Sequence, residues 1–319
     1  MKYAIISDIH GNVFALEAVL KDAKEQDADA YLFLGDYCVY LPWANQVLDL
    51  LRHQEKATII SGNGDRNLVE LQSQDPATWT SKQFMPTYWH YRNLAPENLA
   101  FLLSLPQTAT VSEATTQIHV AHSSSIFLGS RRLRPFHSSD FRRMMEEKKF
   151  DHEEYLNIGR EAVLAHPELI AEMEALPSGT YLFGHNHLQF HMEFGDKLFL
   201  NPGSCGAPLD CNPAASYTLL NLSAHGREID ERKVVYDYVS VAEQLRQSPF
   251  AAEMPVWAEL LAYQLLDGKD YGGHLFSHLR EICVKMGMPV VNPVCNEVWD
   301  EAMRTWDVNR YRSQDEASE

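Results

Sequence analysis

Five short segments carry the residues able to do chemistry: Asp8-Ile9-His10, Gly35-Asp36, Gly62-Asn63-Gly64-Asp65, His122 and Gly184-His185-Asn186-His187. Asp8, His10, Asp36, Asn63, His122, His185 and His187 supply carboxylate, imidazole and amide donors, a mixed oxygen and nitrogen set suited to divalent cations. Two ions about 4 Å apart need a shared carboxylate, further donors, and open positions for water and substrate, and this set is large enough. Singly, each segment has a duller explanation. An Asp-x-His after a strand caps a helix, Gly35-Asp36 is a turn, and Gly62-Asn63-Gly64-Asp65 reads as a tight turn with positive φ. A lone histidine such as His122 packs in a core or on a surface. The pair His185 and His187 is harder to dismiss, because alternate residues of an extended segment share a face and can address neighbouring ions. All five in order, each where an apolar run stops, predict a metal-dependent hydrolase.

Strands must present these segments, and the hydrophobic pattern supplies them. Tyr3 to Ile6, Tyr31 to Leu34 and Ala57 to Ile60 are short apolar runs, each ending at one of the segments. Between them, Leu16, Val19, Leu20 and Ala23, then Val47, Leu48, Leu50 and Leu51, recur at helical spacing. This alternation predicts an α/β fold with parallel strands, whose ligands gather beyond the strands' carboxyl ends. Further on, helices are expected from Pro96 to Leu105 and from Ser138 to Leu176, the second as an insertion at about 123–178. They bracket a strand from Gln117 to Ala121 that ends at His122. Tyr181 to Phe183, Gln189 to Phe194, Lys197 to Leu200, Tyr217 to Leu222 and Lys233 to Val239 read as strands, with hairpin turns at Gly195-Asp196 and Ala224-His225-Gly226. From Val241 the pattern turns helical, with three or so helices. The expected division is a catalytic unit over 1–240 and a helical extension over 241–319, with a frayed, polar end from Ser313 to Glu319.

Bulk properties narrow the function. The 319 residues allow a sizeable core, and 45% hydrophobic with 22% charged residues is an ordinary globular composition. A formal net charge of -17 repels nucleic-acid backbones and anionic membranes, so long polynucleotides are disfavoured as substrates. The five cysteines, Cys38, Cys205, Cys211, Cys283 and Cys295, show no CxxC pairing, which fits a reducing cytosol. Met1 to Ile6 runs straight into a strand without a signal-peptide pattern, and no stretch reaches the ~18 apolar residues of a membrane span. A soluble cytoplasmic protein is the expectation.

With these blocks in hand, the chain resembles the calcineurin-like metallophosphoesterases, whose ordered motifs are DxH, GD, GNH[DE], GH or AH, and GHxH. The resemblance runs over roughly residues 1 to 240. The opening SDIHGN, GNGD in place of GNHD, and Asn201-Pro202-Gly203-Ser204 resemble the smaller bacterial and archaeal phosphodiesterase branch. It implies a four-layer α/β/β/α sandwich of two mixed sheets. It also implies two divalent ions: one held by Asp8, His10, Asp36 and His187, the other by Asp36, Asn63, His122 and His185, with Asp36 bridging. Manganese is the commonest choice among look-alikes, and iron, zinc, nickel or cobalt would also suit. Asp65 would then orient His10 or a helix end. Two such ions neutralise phosphate oxygens and lower the pKa of a shared water from about 15.7 toward roughly 7, so hydroxide is the expected nucleophile.

The departure is Gly64, where many relatives carry a histidine that assists the leaving group. General acid catalysis contributes about 10²- to 10⁴-fold, so leaving groups of low basicity, such as aryl diesters and nucleoside polyphosphates, are expected. Arg131, Arg132 and Arg134 form a compact basic cluster after His122, suited to a polyphosphate tail or to pairing with Glu146 and Glu147; Arg66 is a second candidate. The expected function is a phosphodiesterase or nucleotide hydrolase acting on small phosphoesters. A dinucleoside polyphosphate hydrolase, of the diadenosine tetraphosphate type, is the close alternative. From another class comes a metal-binding interaction scaffold of the same fold, and the full ligand set weighs against it. The C-terminal helices could cover the site, set substrate size or join two copies.

Overall fold

A computed structural model of the chain describes residues 1–113, 116–129, 151–224 and 226–311. In the first sheet β1 (Lys2–Ile6) pairs in parallel with β2 (Ala30–Phe33), and β2 with β3 (Ala57–Ile59). β9 (Ala215–Ser223) runs antiparallel to β1, and β10 (Gly226–Val234) antiparallel to β9, giving the order β10-β9-β1-β2-β3. The second sheet has the order β4 (Thr108–Ser112), β5 (Gln117–Ala121), β6 (Gly179–Leu182), β8 (Lys197–Pro202), β7 (Gln189–Phe194). Its three central strands are parallel and its two edge strands antiparallel to their neighbours.

Side-chain alternation explains why the sheets stack. Tyr3, Ile5, Leu32, Leu34 and Ile60 from the first sheet meet Ile118, Val120, Leu182, Leu198 and Leu200 from the second in one buried cluster. The intervening residues Ala4, Ile6 and Phe33 face outward onto Leu16, Val19, Val47 and Leu48 of α1 (Val13–Glu25) and α2 (Ala44–Arg52). On the far side Tyr181, Phe183, Phe190 and Phe199 pack on Tyr155, Leu156, Leu169 and Met173 of α6 (His152–Leu164) and α7 (Pro167–Ala175). The result is the expected α/β/β/α stack, and each fully buried Leu or Ile in it contributes about 1.5–3 kcal/mol.

The C-terminal helices α8 (Tyr238–Arg246), α9 (Pro249–Glu253), α10 (Pro255–Asp267), α11 (Tyr271–Lys285) and α12 (Asn296–Thr305) share a further core. That core also takes in Leu41 and Trp89, so it reaches back to the loop after Asp36. Among the described residues no helix is long and apolar enough to cross a membrane.

The duller explanation of Gly62-Asn63-Gly64-Asp65 as a positive-φ turn does not hold, and several expectations need correction. Gly62 has φ -90°, and α3 (Asn63–Glu70) starts immediately after it. The Gly62 and Asp65 pairing caps that helix and overrides the turn propensity of Asn-Gly. The strand expected from Lys233 to Val239 is β10, which runs earlier, over Gly226–Val234, and Tyr238 already opens α8. Its charged alternation hid it, because only one face is half-buried. β4 was not expected at all, as a polar edge strand lacks an apolar run, and α4 (Met85–Asn93) was likewise missed beside α5 (Pro96–Ser104). Among the described residues five helices follow residue 237, where about three were expected from Val241 onward. The stretch from Ser138 to 150, His225 and Ser313 to Glu319 lie outside the described residues.

Candidate metal centre

The five segments follow β1, β2, β3, β5 and β6, so both sheets deliver their carboxyl ends to one place. Two groups of donors form there. Asp8, His10 and His187 bring one ligand atom each within 4.8 Å of one another, and so do Asp36, His122 and His185. The groups adjoin through Asp36, whose Oδ2 lies 3.3 Å from His122 Nε2 and 3.8 Å from His10 Nε2. Asp8 Oδ1 is 3.5 Å from His187 Nε2 and 3.9 Å from His10 Nε2.

Five of the ten non-glycine residues with positive φ among the described residues belong to this set. Asp8, His10, Asp36, His185 and His187 have φ of 53°, 49°, 57°, 73° and 62°. Left-handed conformations cost non-glycine residues about 1–3 kcal/mol each and persist where surrounding structure imposes them. For His185 and His187 this overturns the extended-segment expectation. Two left-handed residues send the rings into different groups, with no shared strand face.

Hydrogen bonds fix the ring tautomers. A carbonyl can only accept, so His10 Nδ1 donates to Cys38 O at 3.1 Å, His122 Nδ1 to Leu34 O at 2.8 Å, and His187 Nδ1 to Ala207 O at 2.7 Å. In the neutral rings every Nε2 therefore carries a lone pair. His10 Nε2 and His187 Nε2 face each other at 3.2 Å, and His122 Nε2 faces a carboxylate oxygen. Facing lone pairs repel unless a proton or another cation sits among them. Among the described residues, Asn63 Oδ1 and His122 Nε2 are also buried without a hydrogen-bond partner. This donor set fits divalent ions, and it answers the orphaned atoms that protein contacts leave over.

The protonation tendencies agree. Burial opposes a charge on His122, but Asp36 beside it wins and raises the imidazole to about 9. Asp36 is held well below the carboxylate range: burial works against its charge, and His122, His10 and the Gly64 N–H outweigh it. His10 falls to about 4, through burial and then the neighbouring His187. A cation arriving between His122 and Asp36 would displace a proton, as ligand sites generally require.

The surrounding loops are locked by backbone contacts. Asp65 is fully buried and accepts from four amides: Asp36 N and Gly62 N at 2.9 Å each on Oδ2, Tyr37 N at 2.9 Å and Cys38 N at 3.3 Å on Oδ1. It therefore secures the Gly35-Asp36 loop and the start of α3. The alternative expectation, that it orients His10, is corrected, since the Cys38 carbonyl does that. Burial and the charge of Asp36 push Asp65 up to about 6 despite those amides. The Gly64 amide donates to Asp36 Oδ1 at 2.7 Å, at the positive end of α3. Close approach explains Gly62, where a Cβ would lie 2.1 Å from Asp36 Oδ1.

A family model described as the calcineurin-like phosphoesterase superfamily domain matches residues 1–225. The chain belongs to the calcineurin-like phosphoesterase superfamily. It is 25% identical over 254 residues to an uncharacterized protein of Methanocaldococcus jannaschii, covering 80% of this chain and 94% of the relative. Its fold is similar to that of a metallophosphoesterase from Sphaerobacter thermophilus, with TM-score 0.58, 24% identity, and coverage of 84% of this chain and 99% of that one. A hypothetical protein from Pyrococcus horikoshii OT3 is similar at TM-score 0.56 and 16% identity, over 81% of this chain and 96% of that one.

Of the expected substrate-contacting arginines of this calcineurin-like domain, Arg66 falls among the described residues. The Arg66 guanidinium bonds Gln107 Oε1 at 2.8 Å on the exposed side. Arg131, Arg132 and Arg134 lie outside the described residues. Asn201, Gly203 and Ser204 buttress the site from behind. Asn201 Nδ2 donates to Gly184 O and Asn186 Oδ1 at 2.8 and 2.7 Å, and Ser204 Oγ donates to Asp8 O at 2.7 Å. Sequence reasoning missed Tyr37 and Tyr40. The Tyr37 hydroxyl accepts from Gly35 N at 3.1 Å and donates to Ile60 O at 2.6 Å, tying two motif loops together. Tyr40 stacks on His10 with ring centroids 4.1 Å apart. An aromatic residue four places after Asp36 was a signal available only with the loop geometry known.

Proposed function

We propose that this superfamily member hydrolyses small phosphodiesters or nucleotides with two divalent ions bound at the joint between its sheets. The observation carrying this is the pair of donor groups that adjoin through Asp36, each with imidazoles whose anchored Nδ1 atoms leave Nε2 for a cation. Asp8, His10, Asp36 and His187 would hold one ion; Asp36, Asn63, His122 and His185 would hold the other. When bound, such ions neutralise phosphate oxygens and activate water.

The protein's own contribution is position. Carbonyl anchors on Nδ1 hold the rings of His10, His122 and His187, Asp65 and Tyr37 fix the loop that carries Asp36, and the amide end of α3 favours negative charge beside it. Gly64 leaves that end without a side chain to protonate a leaving group, which favours good leaving groups. Cys38, Cys205, Cys283 and Cys295 form no disulfide, which supports a reducing, cytoplasmic setting.

The test is a metal-stripped protein reloaded separately with manganese, iron, zinc, nickel and cobalt and offered a monoester, a diester, ATP and diadenosine tetraphosphate. Turnover of the diester or a nucleotide with at least one metal, absent in Asp36→Asn, is the expected result. Inactivity in every lane with both ions bound would leave the scaffold alternative standing and reject this one.

A further inference from the structure

We infer that the C-terminal helices are part of the centre's supporting layer, with Gln264 on α10 as a positioning residue for His187. This rests on the ligand assignment proposed above. Gln264 is 4% exposed on a helix whose other buried residues are Ala258, Leu260, Leu261, Ala262 and Leu265. A primary amide in such surroundings is costly unless bonded, and its Nε2 donates to Ala207 O at 3.3 Å. That same carbonyl accepts from His187 Nδ1 at 2.7 Å. One oxygen thus joins a metal-binding candidate to the C-terminal unit.

Two further contacts make the connection stiff. Cys211 N donates to the carbonyl of Gly268, which closes α10 with φ +70°, and a Cβ at 268 would lie 2.5 Å from Asn212 N. The loop that carries Ala207 is therefore in backbone contact with the end of α10. From the other side, Tyr40 stacks on His10 and itself packs against the C-terminal core. Both imidazoles of the Asp8 group are thus braced by the helices after residue 237. The anchors identified for Asp36 and His122 come from elsewhere: Gly64 N on α3 and the Leu34 carbonyl. The bracing is asymmetric, so its loss falls on one ion.

The experiment is titration of the metal-free full-length chain with Mn²⁺ alone, resolving two binding steps by calorimetry, for wild type and Gln264→Met. Partners of metal histidines are worth about 10- to 100-fold in affinity, and Gln264 acts through such a partner, so one step should weaken measurably, by at most about 10-fold, while the other holds. Gln264→Leu, of similar size and also without a donor, is the second variant should Gln264→Met not fold; circular dichroism of each metal-free variant reports this. Two unchanged steps in a folded variant overturn the inference, and so does equal weakening of both, which marks general loosening. A wild type that takes up fewer than two ions overturns instead the assignment of the centre on which the inference stands.

Discussion

Two serines beside Asp8 are both fully buried, and the structure assigns them opposite roles. Ser204 Oγ donates to Asp8 O at 2.7 Å and accepts from Ala207 N at 2.8 Å, so it joins the Asp8 loop to the one that anchors His187. Ser7 Oγ has no hydrogen-bond partner among the described residues. Replacing Ser204 by Ala orphans the Ala207 amide, at about 1–3 kcal/mol, and removes one bond to Asp8 O, at about 0.5–1.5 kcal/mol. The Asp8 carbonyl keeps Gly206 N at 3.0 Å, which holds the second figure low. A total of about 1.5–3.5 kcal/mol should lower the melting temperature by roughly 2–5 °C. Ser7→Ala removes a hydroxyl that was buried without compensation, so it should leave stability unchanged or raise it by about 1 kcal/mol. Differential scanning calorimetry of the two metal-free variants against wild type makes the comparison. Equal losses from both would refute the assignment, because volume and location are matched and only the hydrogen bonds differ.

Other outcomes follow from the same contacts. Gly64→His should raise monoesterase relative to diesterase turnover, provided Asp36 yields by a few tenths of an ångström to a Cβ 3.2 Å from its Oδ1; an unchanged ratio in side-by-side assays contradicts the general-acid account. Asp65→Ala should lower thermal stability and metal affinity together, since four amides lose their acceptor; normal stability with lost turnover would instead make Asp65 a participant in the chemistry. His152, held above its usual pKa chiefly by its hydrogen bond to Glu231, gains stability in its protonated form. That gain is complete below pH ~6.5 and is lost as pH rises through the raised value, while Glu231, held below its usual range by His152 and His191 against burial, loses its share in acid. His152→Gln should thus cost under about 1 kcal/mol near pH 6, given the half-exposed ring, and nothing near pH 9 in denaturation curves; a larger cost at pH 9 reverses the sign and rejects the pairing.

Much of the candidate centre was legible because few residue types can serve as cation donors and because strands deliver them at their ends. Asp8, Asp36 and His122 each follow an apolar run that periodicity alone locates. Residues that hold the ligands in place were less visible, since their partners are backbone atoms. Nothing in the sequence says that Asp65 will meet four amides, or that Ala207 will offer its carbonyl to both His187 and Gln264. Asn-Gly misled for a related reason: its turn preference is local, whereas the capping by Asp65 and the contact with Asp36 are tertiary. β10 escaped because its alternation is of charged and half-buried residues, and only pairing with β9 defines it.

Anomalous diffraction from crystals of the protein grown with Mn²⁺ tests the central claim most directly. Two peaks about 3.5–4 Å apart are expected, flanking one Asp36 oxygen, with His10 and His187 on one ion and His122 and His185 on the other. A single peak, or two that do not share Asp36, would contradict the account.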